Sequence, residues 1–123
     1  MSAELNEKWR ELVAAGRAWW STGMLGPDGF RVLTVRQDSR GFQVVSRGCG
    51  WTAPSLQSDF VPDWSDDATI GALLGQVRAR WKDPATHLVP DGDWHVRGDL
   101  PWAQYGTGDT EAEALLRALE AAP

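Results

Sequence analysis

The chain has 123 residues, 42% of them hydrophobic and 24% charged, and its 12 Lys and Arg against 17 Asp and Glu leave a net charge of −5. Such a composition predicts a single globular domain spanning 1–123, excludes a globally disordered polymer, and argues against nonspecific nucleic-acid binding, which needs a basic surface. No run of about 18 apolar residues and no basic-then-apolar start occurs, so neither a spanning helix nor a secretory signal is expected and the cytoplasm is the expected compartment.

The first predicted element is a helix that starts after Ser2 and ends near Gly16, because Leu5, Trp9, Leu12 and Val13 fall at i, i+4, i+7 and i+8 on one apolar stripe. Trp19 and Trp20 follow, then the turn Gly26-Pro27-Asp28-Gly29. From Phe30 the pattern switches to period two: Phe30–Arg36 and Phe42–Ser46 are rich in β-branched and aromatic residues, and Asp38-Ser39-Arg40-Gly41 between them has turn chemistry, which predicts a β-hairpin. The stretch from Gly48 to Ser65 is long for a loop, so it carries function or hides a short strand. Cys49 lies in it between two glycines; as the one cysteine it cannot form an internal disulfide, and it reads as a small turn residue or a buried thiol.

A second helix is predicted from Asp66 or Ser65 as cap, along the stripe Ile70, Leu73, Leu74, Val77 and Trp81, to a stop at Pro84. Thr86–Val89 and Trp94–Arg97 flank Pro90-Asp91-Gly92-Asp93 as a second hairpin, with Val89 opposite Trp94, and Trp102–Tyr105 is a further short strand. Thr110 and Glu113 have capping-box spacing at the start of a last helix whose buried stripe is Ala112, Leu115, Leu116 and Leu119. Three one-sided helices and two hairpins predict an α+β fold, an antiparallel sheet with helices packed on it, in the order α-β-β-α-β-β-(β)-α.

Eight tryptophans in this length is the outstanding feature of the composition, since average usage would give roughly two. Trp9, Trp81 and Trp94 lie on predicted buried faces and are assigned to the core. Trp19, Trp20, Trp51, Trp64 and Trp102 have no such guarantee, and one or more of them is expected at the surface as a candidate contact.

Two segments carry the candidate sites. Asp59-Phe60-Val61-Pro62-Asp63-Trp64-Ser65-Asp66-Asp67 holds four acids, two aromatics and no base, and Asp59, Phe60, Asp63, Trp64, Asp66 and Asp67 form an aromatic anchor ringed by carboxylates that fits a basic groove on a protein partner. Arg31, Arg36, Arg40 and Arg47 against Asp38 give residues 31–47 a net charge of +3, which offers a basic hairpin for single-stranded nucleic acid as the alternative. His87 and His95, with Cys49 and Asp93, lack metal-ligand spacing, and no nucleophile–base pair is oriented by the pattern; no metal, cofactor or enzymatic activity is expected.

Asp66-Asp67-Ala68-Thr69-Ile70-Gly71-Ala72-Leu73-Leu74 with Val77-Arg78, Trp81 and Asp83-Pro84, together with Thr110-Glu111-Ala112-Glu113-Ala114-Leu115-Leu116-Arg117-Ala118-Leu119-Glu120-Ala121-Ala122, resembles small proteins of phages and prophages of high-GC bacteria. Gly23-Met24-Leu25, Asp28-Gly29 and Arg31-Val32-Leu33 look like the segment preceding those motifs. The resemblance implies a phage-encoded accessory protein in the host cytoplasm, with a helix–sheet sandwich and no catalytic residues. Its most concrete implied function is inhibition of a host defence complex, such as a nucleic-acid-binding CRISPR effector, by protein–protein contact.

Overall fold

The computed structural model describes residues 2–48, 50–54, 59–100 and 102–123; Met1, Cys49, residues 55–58 and Pro101 lie outside them. The elements are α1 (Ser2–Ala14), β1 (Thr34–Gln37), β2 (Gln43–Ser46), β3 (Trp51–Thr52), α2 (Asp67–Trp81), β4 (His87–Asp91), β5 (Asp93–Arg97), β6 (Gln104–Gly108) and α3 (Glu111–Ala121). The class is α+β, and the strands form two antiparallel three-stranded sheets, β1-β2-β3 and β4-β5-β6, in place of one sheet built from two hairpins. The Gly48–Ser65 stretch does hide a strand, β3, which adds to the first hairpin. By compactness the chain divides into residues 1–18 with 73–123, and residues 19–72.

In the larger unit α3 packs on β6 and β5, and α1 packs on α3. The helix is amphipathic as expected, with Ala112, Leu115, Leu116 and Leu119 buried, and Ala114 and Ala118 are buried as well. Those two alanines face glycines: a Cβ on Gly106 would stand 2.5 Å from the Ala114 carbonyl oxygen and 2.8 Å from the Ala118 nitrogen. Only a strand with no side chain there lets the helix backbone come so near. Thr110 caps α3, its side chain accepting from the Glu113 N–H, while Glu113 accepts from the Asp109 N–H, so the expected capping box closes one residue further out. Trp9 is buried, but Trp81 and Trp94 are only half-buried. Trp81 stacks on Tyr105 at 4.1 Å between centroids and donates its indole N–H to the Ala118 carbonyl.

The β4–β5 register corrects the sequence reading by one residue: Pro90 pairs with Trp94 and Val89 with His95. Asp91 and Asp93 face each other, so Gly92 alone, at φ +77°, makes the reversal that four residues were expected to share. His87 therefore lies opposite Arg97, and each histidine is used locally. His87 Nδ1 donates to the Ala85 carbonyl; His95 Nδ1 accepts from the Gln104 amide, which leaves Nε2 to donate to the Asp91 carbonyl.

The smaller unit is built on β1-β2-β3. Both strands of its hairpin are shorter than their apolar patterns, and Phe30–Leu33 runs outside β1, bridged to the chain ahead of it at Leu25–Arg31. The hairpin turn forms as its chemistry predicts: Asp38 Oδ1 accepts from the Arg40 and Phe42 N–H groups, and Gly41 takes φ +84°. By register Val35, Gln43, Val45 and Thr52 share one face and Arg36, Val44, Ser46 and Trp51 share the other. The first face belongs to the unit's core, which contains Trp20, Met24, Val32 and Val45. Gln43 fixes it by clamping one residue at two points, accepting from the Trp20 N–H and donating to the Trp20 carbonyl, both at 2.9 Å.

Candidate interaction surface

All ten residues singled out in the acidic segment and the basic hairpin fall in the smaller unit. The structure brings the two segments together. Arg31 forms a two-point ion pair with Asp66, Nη1 to Oδ2 at 2.8 Å and Nη2 to Oδ1 at 3.1 Å, although 35 residues separate them. Asp66 also accepts from the N–H and the hydroxyl of Thr69 in the first turn of α2, which is the cap expected of it. The Arg31 hydrogen bond is the main reason its carboxyl titrates well below the ordinary 3.8, at about 2. Thr69 is fully buried and its hydroxyl is satisfied on both sides, since it also accepts from the Leu25 N–H. Asp63 completes the stitching: its N–H donates to the Leu25 carbonyl and its carboxylate accepts from Ser65.

Phe60, expected as an exposed anchor, is a core residue with 6% of its surface exposed. It packs on Trp20 at 4.9 Å between centroids, and the Arg47 guanidinium lies 4.8 Å above its ring. Burial of the flanking Val61 and Pro62 explains this, because the segment threads an apolar triplet through the core between its acids. Trp64 is half-buried, and only Asp59 and Asp67 of the six are exposed. Asp59 lines an open cleft of about 300 Å³ with Pro27, Asp28 and Phe60.

The hairpin arginines are matched by acids in the same way. Arg47 is paired with Asp28 and reaches Thr52; Arg40 is paired with Asp38 at 2.9 Å. Each partner aspartate is held below its ordinary range chiefly by that arginine. With Arg31 on Asp66, three of the four positive charges of the hairpin are compensated. Arg36 differs: among the described residues no carboxylate lies within ion-pair distance, and its guanidinium sits 4.1 Å from the Trp51 ring centroid.

That contact marks a surface the sequence reading did not assemble. Arg36 and Trp51 occupy the face of the sheet opposite the core, with Val44 between them on β2. Trp51 is 46% exposed, and Phe42, the residue before β2 with the Arg40 guanidinium 5.1 Å from its ring centroid, is 39% exposed. Val44 is nevertheless 8% exposed, as expected beneath an arginine that crosses β2 to reach the indole. Period-two alternation from Arg36 and from Phe42 could have signalled two members of this face; Trp51 was hidden because a two-residue strand has no period to read. Trp102 is the other exposed tryptophan, at 77%, and lies in the larger unit ahead of β6.

Among the described residues no three His, Cys, Asp or Glu side chains are grouped to hold a metal ion, and no helix is long and apolar enough to cross a membrane. Searches of protein-family models, curated proteins and solved structures return no match to this chain.

Proposed function

We propose that this chain is a non-enzymatic binding protein that acts by protein–protein contact, with the outer face of β1-β2-β3 as its contact surface. The observation that carries the reading is the exposure of Trp51 beneath Arg36 on one sheet face, with Phe42 exposed beneath Arg40 just ahead of β2. Tryptophan and arginine are the residue types that dominate binding hot spots, and rigid aromatic rings lose little conformational entropy when covered. Within this reading the acidic segment serves the surface from inside the unit: Asp66 holds Arg31, and Phe60 fills the core behind the sheet. The resemblance to phage and prophage proteins supports a host defence complex as the partner and the host cytoplasm as the place of action.

A second reading, single-stranded nucleic-acid binding on the same face, is favoured by the arginine–indole stack. The three ion pairs count against it, because they remove most of the positive field that phosphates would need. The test is protection of a phage or plasmid from a panel of bacterial defence systems, CRISPR effectors included, with co-purification of the inhibited complex. The expected result is protection against at least one system that both Trp51→Ala and Phe42→Ala abolish while the variants stay folded. Protection that ignores both substitutions, or none across the panel, overturns the proposal.

A further inference from the structure

We infer that the segment received by this surface is acidic: a carboxylate side chain taken by Arg36, with apolar neighbours covering Trp51 and Phe42. The inference rests on the contact-surface reading above and adds the chemistry of the partner. Arg36 is opposite Val44 in the middle of the β1–β2 ladder, and its head group has left its own strand to lie over Trp51 on β3. The guanidinium carbon lies over the indole, and among the described residues no hydrogen bond engages its five N–H donors. Stacking also fixes the side chain before a ligand arrives, so less freedom is lost when the fork closes on two oxygens. Each of the other three hairpin arginines is already paired with an aspartate, Arg31 through both oxygens of Asp66, which leaves Arg36 as the guanidinium of the hairpin with its carboxylate position open among the described residues.

An oxyanion satisfies that fork, and the local charge decides which kind. Residues 19–72 contain six aspartates and four arginines, and Asp38 lies two positions from Arg36. A nucleic-acid strand brings a negative charge with every nucleotide and meets those acids beyond the first phosphate. A protein segment brings one carboxylate where the arginine is and apolar side chains where the aromatic rings are exposed. The requirement is therefore Asp or Glu flanked by aromatic or aliphatic residues.

The experiment is selection of displayed random heptapeptides on the immobilised full chain, on Arg36→Ala and on Trp51→Ala, with thermal unfolding to confirm that each is folded. Fluorescein-labelled oligothymidylate is titrated in parallel. On the unaltered chain the enriched peptides carry Asp or Glu beside an aromatic or aliphatic residue. A synthetic copy binds Arg36→Ala at least about tenfold more weakly, as the loss of a two-point charge-assisted hydrogen bond requires. Arg36→Lys restores part of the loss, because it returns the charge without the fork. Peptides that need Trp51 but show no acid and no dependence on Arg36 overturn this inference and leave the contact surface standing. Failure to enrich any peptide that needs Trp51 overturns both, and oligothymidylate binding that needs Trp51 overturns both in favour of nucleic acid.

Discussion

The two sheets of this protein have the same number of strands and the same antiparallel order, yet one carries a helix on its face and the other leaves a face open. On β4-β5-β6 the face containing Val96 meets α3, and it can do so because Gly106 and Gly108 remove the side chains from β6 where Ala114 and Ala118 arrive. On β1-β2-β3 the face away from the core carries Arg36, Val44 and Trp51, whose bulk and charge leave no seat for a helix backbone at comparable distance. Small residues on a strand thus let a helix close over one face, whereas Arg36 and Trp51 on the other sheet stay exposed.

The strongest way to break that contrast is to put a side chain where the helix lands. Gly106→Val places its Cβ against backbone atoms of α3 that cannot rotate away, so a loss of about 3 kcal/mol or more is expected in denaturant unfolding, at or beyond the upper end for overpacking. A loss below about 1 kcal/mol would mean that α3 does not need this close seat.

The next effect is in the smaller unit. Asp66→Ala removes the cap at Thr69 and the partner of Arg31 together, and is expected to lower stability by about 1–2 kcal/mol, mostly through the cap because the ion pair is partly exposed. The same group has a pH signature. Its carboxyl titrates at about 2 in the folded chain and at an ordinary 3.8 when free, so the contribution is complete above pH 3.8 and fades as the pH falls through 2. Unfolding curves of Asp66→Asn and the unaltered chain should therefore converge below that range; a gap that persists at lower pH assigns the effect to shape and not to charge.

Thr110→Ala is smaller again, about 1 kcal/mol in thermal or denaturant unfolding, because it deletes one capping hydrogen bond while Glu113 keeps its bond to the Asp109 N–H. The smallest effect on stability sharpens the contrast most. Trp51→Ala should change the unfolding free energy by no more than about 0.5 kcal/mol, as for a surface position, although it deletes the largest side chain of the open face. A loss of several kcal/mol there would make Trp51 part of the packing and close the surface as a binding site.

Local order was legible wherever neighbours in sequence are neighbours in space. The stripes of α2 and α3 were readable, as was the Thr110 cap, because residues three and four apart meet on a helix whatever surrounds it. The first hairpin turn was readable because Asp38 bonds N–H groups two and four residues on. The β4–β5 register was not, since a one-residue turn at Gly92 and a longer one satisfy the same Pro-Asp-Gly-Asp composition. The sequence reading kept acids and arginines as two opposed surfaces, whereas the structure pairs Arg31 with Asp66 and Arg47 with Asp28. Trp20 and Trp51 show the same division: adjacent tryptophans at 19 and 20 could not be ranked for burial by pattern, and Trp51 gave no strand signal in its two-residue strand.

By itself the sequence determined the α+β class, the three helices and their stripes, the turn chemistry at Asp38 and an excess of tryptophan beyond what the periodic stripes absorb. These follow from short-range hydrogen bonding and from the period of apolar residues, which act before the chain closes on itself. The tertiary structure alone decided that Arg31 meets Asp66, that Arg47 meets Asp28 over Phe60, and that Arg36 is left to Trp51. The two ion pairs join residues outside the strands and depend on how the connecting segments fold back, whereas the Arg36–Trp51 contact depends on which strand lies beside which, where a one-residue slip sends a side chain to the other face. The charges are written in the sequence; which of them meet is set by the tertiary fold.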